Sequence, residues 1–180
     1  KYEALEGWPE PIVFSERFPD VFSRTLSGFD VLIMNPPYGK LRTESGKGIR
    51  KNKEENKAEK KRYEKLRKHI RASEMYPHSK GVLNWYKLFI ERSLQLINKD
   101  GSMGFIVPST LLCDDSTKEL RKVLLQYELS HLLEIPEKNN FFESVTQSYS
   151  IGILNKQRLT DKTDFRFGVK SMNEIDKPQE

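Results

Sequence analysis

The tetrapeptide Asn35-Pro36-Pro37-Tyr38 is the sequence feature that most constrains how this chain can fold. It directly follows the largely apolar run 29–34, whose β-branched and aromatic residues predict a buried parallel strand. Two successive prolines cannot continue a strand, because neither has an N–H group to donate to a neighbouring strand. Ligands of open α/β sheets bind at the carboxyl ends of the strands. The tetrapeptide therefore predicts an abrupt turn, carrying an amide and an aromatic ring, at the active edge of a sheet.

The charge of the chain is unevenly distributed. The 180 residues are 36% hydrophobic and 32% charged, which fits one domain with a core and a long solvated segment. Residues 39–80 contain 15 Lys and Arg against 6 Asp and Glu, whereas the rest of the chain has a net charge of −4. This asymmetry favours a polyanion as the partner of residues 39–80. A solvated helix of mixed charge is the alternative.

Several classes of protein are disfavoured by the composition. No apolar run approaches 18 residues, so a membrane span is not expected, and the first residues lack a signal-peptide pattern. Cys113 is the only cysteine, which favours a reducing, cytoplasmic location. The three histidines are far apart in sequence, and no metal site is predicted. Because the chain does not begin with Met, we expect it to be a piece of a longer protein.

Hydrophobic periodicity and turn residues predict alternating helices and strands after the first strand. The predicted elements are a short helix near Asp20, an exposed helix over 53–72, a core-facing helix over 83–98, a strand over 103–107, a helix from Asp114 or Asp115 to about Tyr127, strands over 129–135 and 148–154, and one more strand after Thr160. This order predicts an α/β fold, part of a doubly wound, Rossmann-like sheet with a hairpin-like end. No Gly-rich strand-to-helix loop precedes residue 29, so we expect this chain to lack the first strands of such a sheet.

The residue types in the tetrapeptide suit the activation of an aromatic amine. The lone pair of such an amine is delocalised into its ring, which makes it a poor nucleophile. Hydrogen bonds from its two N–H groups to two acceptors localise that lone pair. The acceptors are the side-chain oxygen of Asn35 and the backbone oxygen of Pro36. Pro37 restricts the orientation of the Pro36 carbonyl, and Tyr38 offers a flat face for a base. No strong general base is needed if the electrophile is a cationic methyl donor.

The segment from Phe29 to Gly39 resembles the catalytic motif of the amino-methylating DNA methyltransferases that use S-adenosylmethionine. Phe-Pro-Asp-Val-Phe at 18–22 is similar to a Phe-Pro-Glu-Val-Phe segment of the gamma-class N6-adenine enzymes, which include type IIG restriction–modification proteins. Asn84-Trp85-Tyr86-Lys87-Leu88-Phe89 resembles the Asn-x-Tyr-x-x-Phe helix start of that class, and 104–110 resembles its next strand and loop. The resemblance covers about residues 8–158.

This resemblance implies a site-specific adenine-N6 methyltransferase in a restriction–modification system. It implies that the target adenine is flipped out of double-stranded DNA, that Asn35 and Pro36 bind its amino group, and that Tyr38 and Phe142 stack on it. Asn35 and Phe89 are expected to contact the cofactor, although Phe89 is equally well explained as a core aromatic. Methyl transfer of this kind needs no metal. The remaining site residues are basic and are expected to contact the DNA backbone: Lys40, Arg42, Lys60, Lys61, Arg62, Arg67 and Lys68.

The resemblance also implies how the chain is divided. Residues 1–158 are expected to be the catalytic part of a methyltransferase domain with a basic helical insert at 40–80, and 159–180 to be a tail or the start of the next segment. The donor loop of the family lies upstream of the catalytic motif and is absent. The expected partners therefore include the rest of the methyltransferase and a target-recognition domain. Two alternatives stay open: an amino-methyltransferase acting on glutamine or RNA, and a non-catalytic nucleic-acid-binding fragment.

Overall fold

Five strands of the described residues form one sheet in a computed structural model, which describes residues 5, 8–42, 53–141, 146–157 and 163–175. The strands are β1 (Phe29–Met34), β2 (Ile97–Pro108), β3 (Glu128–Ile135), β4 (Tyr149–Asn155) and β5 (Asp164–Arg166). The helices are α1 (Phe14–Arg17), α2 (Pro19–Phe22), α3 (Lys53–Ala72), α4 (Trp85–Leu96), α5 (Thr110–Cys113), α6 (Lys118–Leu124) and α7 (Met172–Ile175), with a 3₁₀ turn at Asp115–Thr117.

The sheet combines parallel and antiparallel pairs. Its strand order is β1-β2-β4-β3-β5, with β1 parallel to β2 and β5 parallel to β3. Strand β4 lies between β2 and β3 and is antiparallel to both. Helix α4 crosses from β1 to β2, as parallel neighbours require. The prediction of a partial, Rossmann-like α/β sheet with a hairpin-like end is therefore confirmed.

Strand β1 forms one edge of the described sheet and pairs with β2 alone. Leu32 and Met34 pack against the main core cluster, whereas Val31 and Ile33 point to the other face and are 63% and 83% exposed. The strand is parallel as predicted, but the expectation that it is buried is wrong for one face. The physical reason is that α4 packs on one face of the sheet, while no described element covers the other face at these two residues.

Local sequence signals predict some element boundaries well and others poorly. Helix α3 has the predicted bounds, and the side chain of Asp114 accepts a hydrogen bond from Ser116 N at 2.7 Å, as a helix cap would. Helix α4 ends early, and β2 starts six residues before the predicted strand. Residues 98–101 form an irregularity inside β2, where the register jumps from Phe29–Ile97 to Val31–Ser102. The predicted helix after Asp114 is divided between a 3₁₀ turn and α6.

Gly152 on β4 lies directly beneath the buried ring of Phe105, and a Cβ atom there would be 2.2 Å from Phe105 Cζ. We expect Gly152→Ala to destabilise the fold by about 1–3 kcal/mol, because the ring must move within a packed core. Gly104→Ala is the matched control, since its Cβ would meet Ile33 Cγ1 at an ordinary 3.8 Å. Chemical denaturation of both variants measures the difference. Equal losses of stability would contradict the packing described here.

Candidate active site

The tetrapeptide lies at the edge of the sheet where several chain segments meet. It follows Met34, which pairs with Phe105, and β2 ends nearby at Pro108. Because β4 is antiparallel, its first residue Tyr149 lies opposite Pro108 and opposite Ile135, the last residue of β3. The ends of β1, β2 and β3 and the start of β4 therefore lie along the edge of the sheet where the tetrapeptide lies, as expected for a ligand site in an open α/β sheet.

The tetrapeptide presents different groups to solvent and to the protein. Asn35 is exposed, and its amide forms no hydrogen bond with the residues that the structure describes. Pro36 is buried and Pro37 is exposed, so the turn is held by packing at its first proline. Tyr38 is half-buried, and burial raises the pKa of its phenol. The Asn35 side chain is thus open to a ligand, beside a backbone that is fixed.

The residues after the tetrapeptide are hydrogen-bonded to the start of α4. Leu41 N donates to Leu83 O at 2.8 Å, and Trp85 N donates to Gly39 O at 3.1 Å. This short antiparallel contact ties the loop that carries Tyr38 to the helix that carries Phe89. Lys40 and Arg42, which the sequence analysis expects to contact DNA phosphates, are exposed on this loop.

Phe89 lies at the same end of the sheet as Asn35. Ser93 Oγ, one helical turn later on α4, donates to the sulfur of Met34 at 3.4 Å. The chain runs from β1 back along α4, so the turn before Ser93 lies beyond the end of β1. Phe89 is 43% exposed, although most of its neighbours on α4 are buried. An exposed aromatic ring at this position is available to a flat ligand.

Sequence reasoning missed two polar residues at this end of the sheet, Asn139 and Tyr149. Tyr149 is 1% exposed, and its hydroxyl donates to Asn139 Oδ1 at 3.4 Å. Burial raises the pKa of Tyr149, and the charge of the Tyr38 phenolate raises it further. The only sequence signal for Asn139 was its position in the polar loop before Phe141. Phe142 lies outside the described residues, while Phe141 is half-buried against the cluster that contains Tyr149 and Ile135.

Lys87 is a further residue that sequence reasoning did not single out. It is fully buried, and its ammonium group donates to Val82 O at 3.0 Å, to Ser116 O at 3.1 Å and to Ser116 Oγ at 2.7 Å. Burial lowers its pKa. These bonds fasten the start of α4 to the 3₁₀ turn, so Lys87 supports the position of the helix rather than contacting a ligand.

The basic residues of helix α3 fall into two groups. Lys60, Lys61 and Lys68 are exposed, as a nucleic-acid contact requires. The guanidinium of Arg62 instead lies over the ring of Trp8, 4.2 Å from its centroid. Arg67 Nη1 donates to Leu41 O at 2.8 Å, which joins α3 to the loop after the tetrapeptide. The two arginines therefore make contacts within the chain, which the charge pattern did not predict.

The described part of the chain lacks two kinds of feature. No group of three or more His, Cys, Asp or Glu side chains among the described residues is arranged to hold a metal ion. None of the described helices has the length and apolar character that crossing a bilayer requires.

Comparison with known proteins assigns the chain to a family. The family model for the Eco57I restriction-modification methylase matches residues 9–142. Type II methyltransferase M.AccI of Acinetobacter calcoaceticus is 27% identical over 153 residues, which are 84% of this chain and 25% of that protein. Type II restriction enzyme and methyltransferase RM.Eco57I of Escherichia coli is 31% identical over 137 residues, which are 76% of this chain and 12% of that protein. The chain thus spans a quarter or less of these relatives.

A solved structure supports the fold. A Listeria monocytogenes protein assigned to the class I S-adenosylmethionine-dependent methyltransferases superposes with a TM-score of 0.52 at 17% identity, over 82% of this chain and 39% of that protein. At this identity the likeness concerns the fold alone, and it agrees with the partial Rossmann-like sheet. The family match covers most of the chain and includes the tetrapeptide. The chain belongs to the Eco57I restriction-modification methylase family.

Proposed function

We propose that this chain is the catalytic part of an S-adenosylmethionine-dependent DNA adenine-N6 methyltransferase in a restriction–modification system. The observation that carries the proposal is the open amide of Asn35 beside the buried Pro36, at the carboxyl end of a parallel strand. Family membership supports it. In this proposal residues 1–158 are the catalytic part and 40–80 a basic insert, while residues 163–175 pack on the same sheet. DNA as substrate would place the protein in the cytoplasm.

The proposed chemistry needs little more than positioning. When bound, S-adenosylmethionine supplies an electrophilic methyl group on a cationic sulfur. The side-chain oxygen of Asn35 and the carbonyl oxygen of Pro36 would each accept a hydrogen bond from one N–H group of the adenine amine. This arrangement localises the nitrogen lone pair and leaves an acceptor beside the proton that the amine gives up. Tyr38 would stack on one face of the base, and Phe142 would stack on the other.

The residues present fit part of a cofactor site. The exposed ring of Phe89 and the open amide of Asn35 lie at one edge of the sheet, where a flat adenine and its polar substituents could be held. The strand beside them has an unpaired edge among the described residues. We therefore propose that Phe89 and Asn35 complete a cofactor site whose main loop belongs to the rest of the methyltransferase.

The proposed nucleic-acid partner is double-stranded DNA with one base flipped out of the helix. Lys40 and Arg42 follow the tetrapeptide and are exposed, so they could contact phosphates beside the flipped nucleotide. The exposed lysines of α3 would contact the backbone without regard to sequence. A target-recognition domain would read the sequence.

A methyl-transfer assay of the full-length protein tests the proposed function. Labelled S-adenosylmethionine is offered together with unmethylated duplex DNA, RNA and protein in separate reactions. We expect label in duplex DNA, recovered as N6-methyladenine after digestion. Label in RNA or in glutamine side chains would overturn the assignment, and the absence of label from every substrate would favour a binding function.

The exposed lysines of α3 give a second test. We expect the triple variant Lys60→Gln, Lys61→Gln and Lys68→Gln to weaken binding to all DNA sequences alike. The log–log slope of affinity against salt concentration should fall by about one for each phosphate group that the variant no longer binds. Arg62 and Arg67 are kept, because their contacts with Trp8 and Leu41 hold the helix in place.

Lys99→Gln is the matched control for this test. Lys99 is also exposed, but it lies in the irregularity of β2, at the opposite end of the sheet from the tetrapeptide. Its substitution should leave the salt dependence unchanged. If the triple variant keeps the original slope, the helix is solvated surface and makes no contact with the DNA backbone.

A further inference from the structure

The loop 39–42, which directly follows the tetrapeptide, is enclosed by two helices. Leu41 of this loop is 1% exposed and belongs to a buried apolar cluster. The other buried members of the cluster come from α3, from the residues before α4 and from α4 itself, and they are Ile70, Leu83 and Leu88. Because loops usually run over the surface of a protein, this burial indicates that α3 holds the loop in addition to carrying charge.

Hydrogen bonds hold the backbone of the same loop from both sides. Leu41 N donates to Leu83 O at 2.8 Å. Trp85 N donates to Gly39 O at 3.1 Å, which fastens the loop to the start of α4. On the side of α3, Arg67 Nη1 donates to Leu41 O at 2.8 Å. Both backbone polar groups of Leu41 are therefore bonded, and its carbonyl accepts from a charged donor, which makes a stronger hydrogen bond than a neutral one.

Arg67 differs from the exposed lysines of α3 in what it binds. Its side chain is half-buried, and its guanidinium is bonded within the chain. The two residues of this contact are 26 positions apart in the sequence, so the bond joins α3 to a distant segment rather than to its own turn. The contact therefore fixes the helix relative to the chain that leaves the tetrapeptide.

We propose that Arg67 is a positioning residue, which fixes the position of Tyr38 by holding the loop 39–42 against α3. This inference rests on the proposed function, in which Tyr38 stacks on the flipped base. Strand β1 fixes the start of the tetrapeptide, and the contacts of Leu41 fix the chain after it. Without the bond from Arg67, one of these two ends is held less firmly, and a base stacked on Tyr38 would vary in position. Small errors of placement slow a reaction whose rate depends on alignment.

Single-turnover kinetics of the full-length protein, with DNA at saturation, test this inference. We expect Arg67→Met to slow methyl transfer to duplex DNA about tenfold, the scale of the net contribution of one hydrogen bond to a charged group. Methionine removes the donor and keeps an unbranched side chain. Arg67→Lys keeps a charged donor and should slow the transfer by a smaller factor.

DNA binding separates this role from a phosphate contact. The log–log slope of DNA affinity against salt concentration should be unchanged in Arg67→Met, because the guanidinium is bound within the chain. A fall of about one in this slope would show that Arg67 binds a phosphate group, and it would overturn the inference.

Arg71→Met is the matched control. Arg71 is also on α3, and its Nη2 donates to a backbone oxygen, that of Gly81, at the same distance of 2.8 Å. Gly81 lies outside the loop 39–42. We therefore expect Arg71→Met to leave the rate of methyl transfer unchanged, although it removes a hydrogen bond of the same kind from the same helix.

A double-mutant cycle shows whether Arg67 acts through Tyr38. If the loss of Arg67 slows the transfer by misplacing that ring, Arg67→Met should have a further effect of less than about threefold in protein that already carries Tyr38→Ala. A variant that only destabilises the helix would lose the same factor in both backgrounds.

The outcomes separate this inference from the proposed function. If the unchanged protein methylates DNA and Arg67→Met keeps its rate, the positioning role is wrong and the proposed function stands. The same conclusion holds if Arg71→Met loses as much, or if the effects of Arg67→Met and Tyr38→Ala are independent. If Arg67→Met does not fold, the same cycle with Arg67→Lys decides the question. An unchanged protein that transfers no methyl group to DNA refutes the proposed function and this inference with it.

Discussion

Replacing Asn35 by alanine is expected to lower the rate of methyl transfer by about a hundredfold or more, the scale for losing one preorganised polar group in an active site. The physical reason is that the side-chain oxygen would accept a hydrogen bond from one N–H group of the target amine. Asn35 is exposed and bonded to no described residue, so its removal should change the stability of the fold little. Single-turnover transfer of labelled methyl groups to duplex DNA measures the effect.

Two further measurements make this prediction specific to Asn35. DNA affinity and the thermal unfolding midpoint of Asn35→Ala should stay close to those of the unchanged protein. Asn173→Ala is the matched control, since Asn173 is an exposed asparagine on the short helix α7 and should be replaceable without loss of activity. Near-normal turnover of Asn35→Ala would refute the role assigned to its amide.

Residues 1–180 produced alone are expected to self-associate. They are also expected to bind S-adenosylmethionine at least a thousandfold more weakly than with micromolar affinity, which is a loss of about 4 kcal/mol in binding free energy. The reason is the state of β1, which has an unpaired edge in the described sheet and exposes Val31 and Ile33 on one face. Unpaired strand edges with exposed apolar side chains pair with other chains. Sedimentation velocity and calorimetric titration of the donor measure the two effects.

Ile33→Lys provides the matched control for this expectation. Ile33 is 83% exposed, so a lysine there should be tolerated, and its charge should reduce the association of chains through this face. If the proposed function holds, adding the donor-binding part of a complete methyltransferase should have the same effect on association and should also allow donor binding. A well-behaved monomer of residues 1–180 with micromolar affinity for the donor would overturn this view of where the cofactor lies.

The tetrapeptide shows how much of the structure local sequence can predict in this protein. A run of β-branched and aromatic residues closed by two prolines specifies a strand and its end without reference to any distant residue, and β1 has the predicted bounds. Helix α3 was equally predictable, because it lacks Gly and Pro and is rich in good helix formers. The roles of Asn35 to Tyr38 came from the chemistry of these residues and from the family resemblance.

The hydrogen bond between Tyr149 and Asn139 could not be predicted in the same way. Asn139 and Tyr149 are ten residues apart in the sequence. Their contact requires the end of β3 to meet the start of β4, as the antiparallel pairing of these strands provides. The predicted hairpin-like end allows such a meeting, but no propensity or short motif specifies which side chains bind each other there. The use of Arg62 and Arg67 within the chain was hidden for a related reason, since a charge pattern does not distinguish arginine that faces solvent from arginine that binds a carbonyl or an aromatic ring.

The sequence by itself determined the strand at 29–34, the turn that ends it, the long basic helix and the alternation of the remaining elements, because prolines, periodicity and helix propensity act over a few residues. The tertiary structure alone decided that one face of β1 is exposed in the described sheet and that helix α4 passes directly into a long β2. These features depend on contacts between residues far apart in the chain, whose free energies arise only when the sheet has assembled.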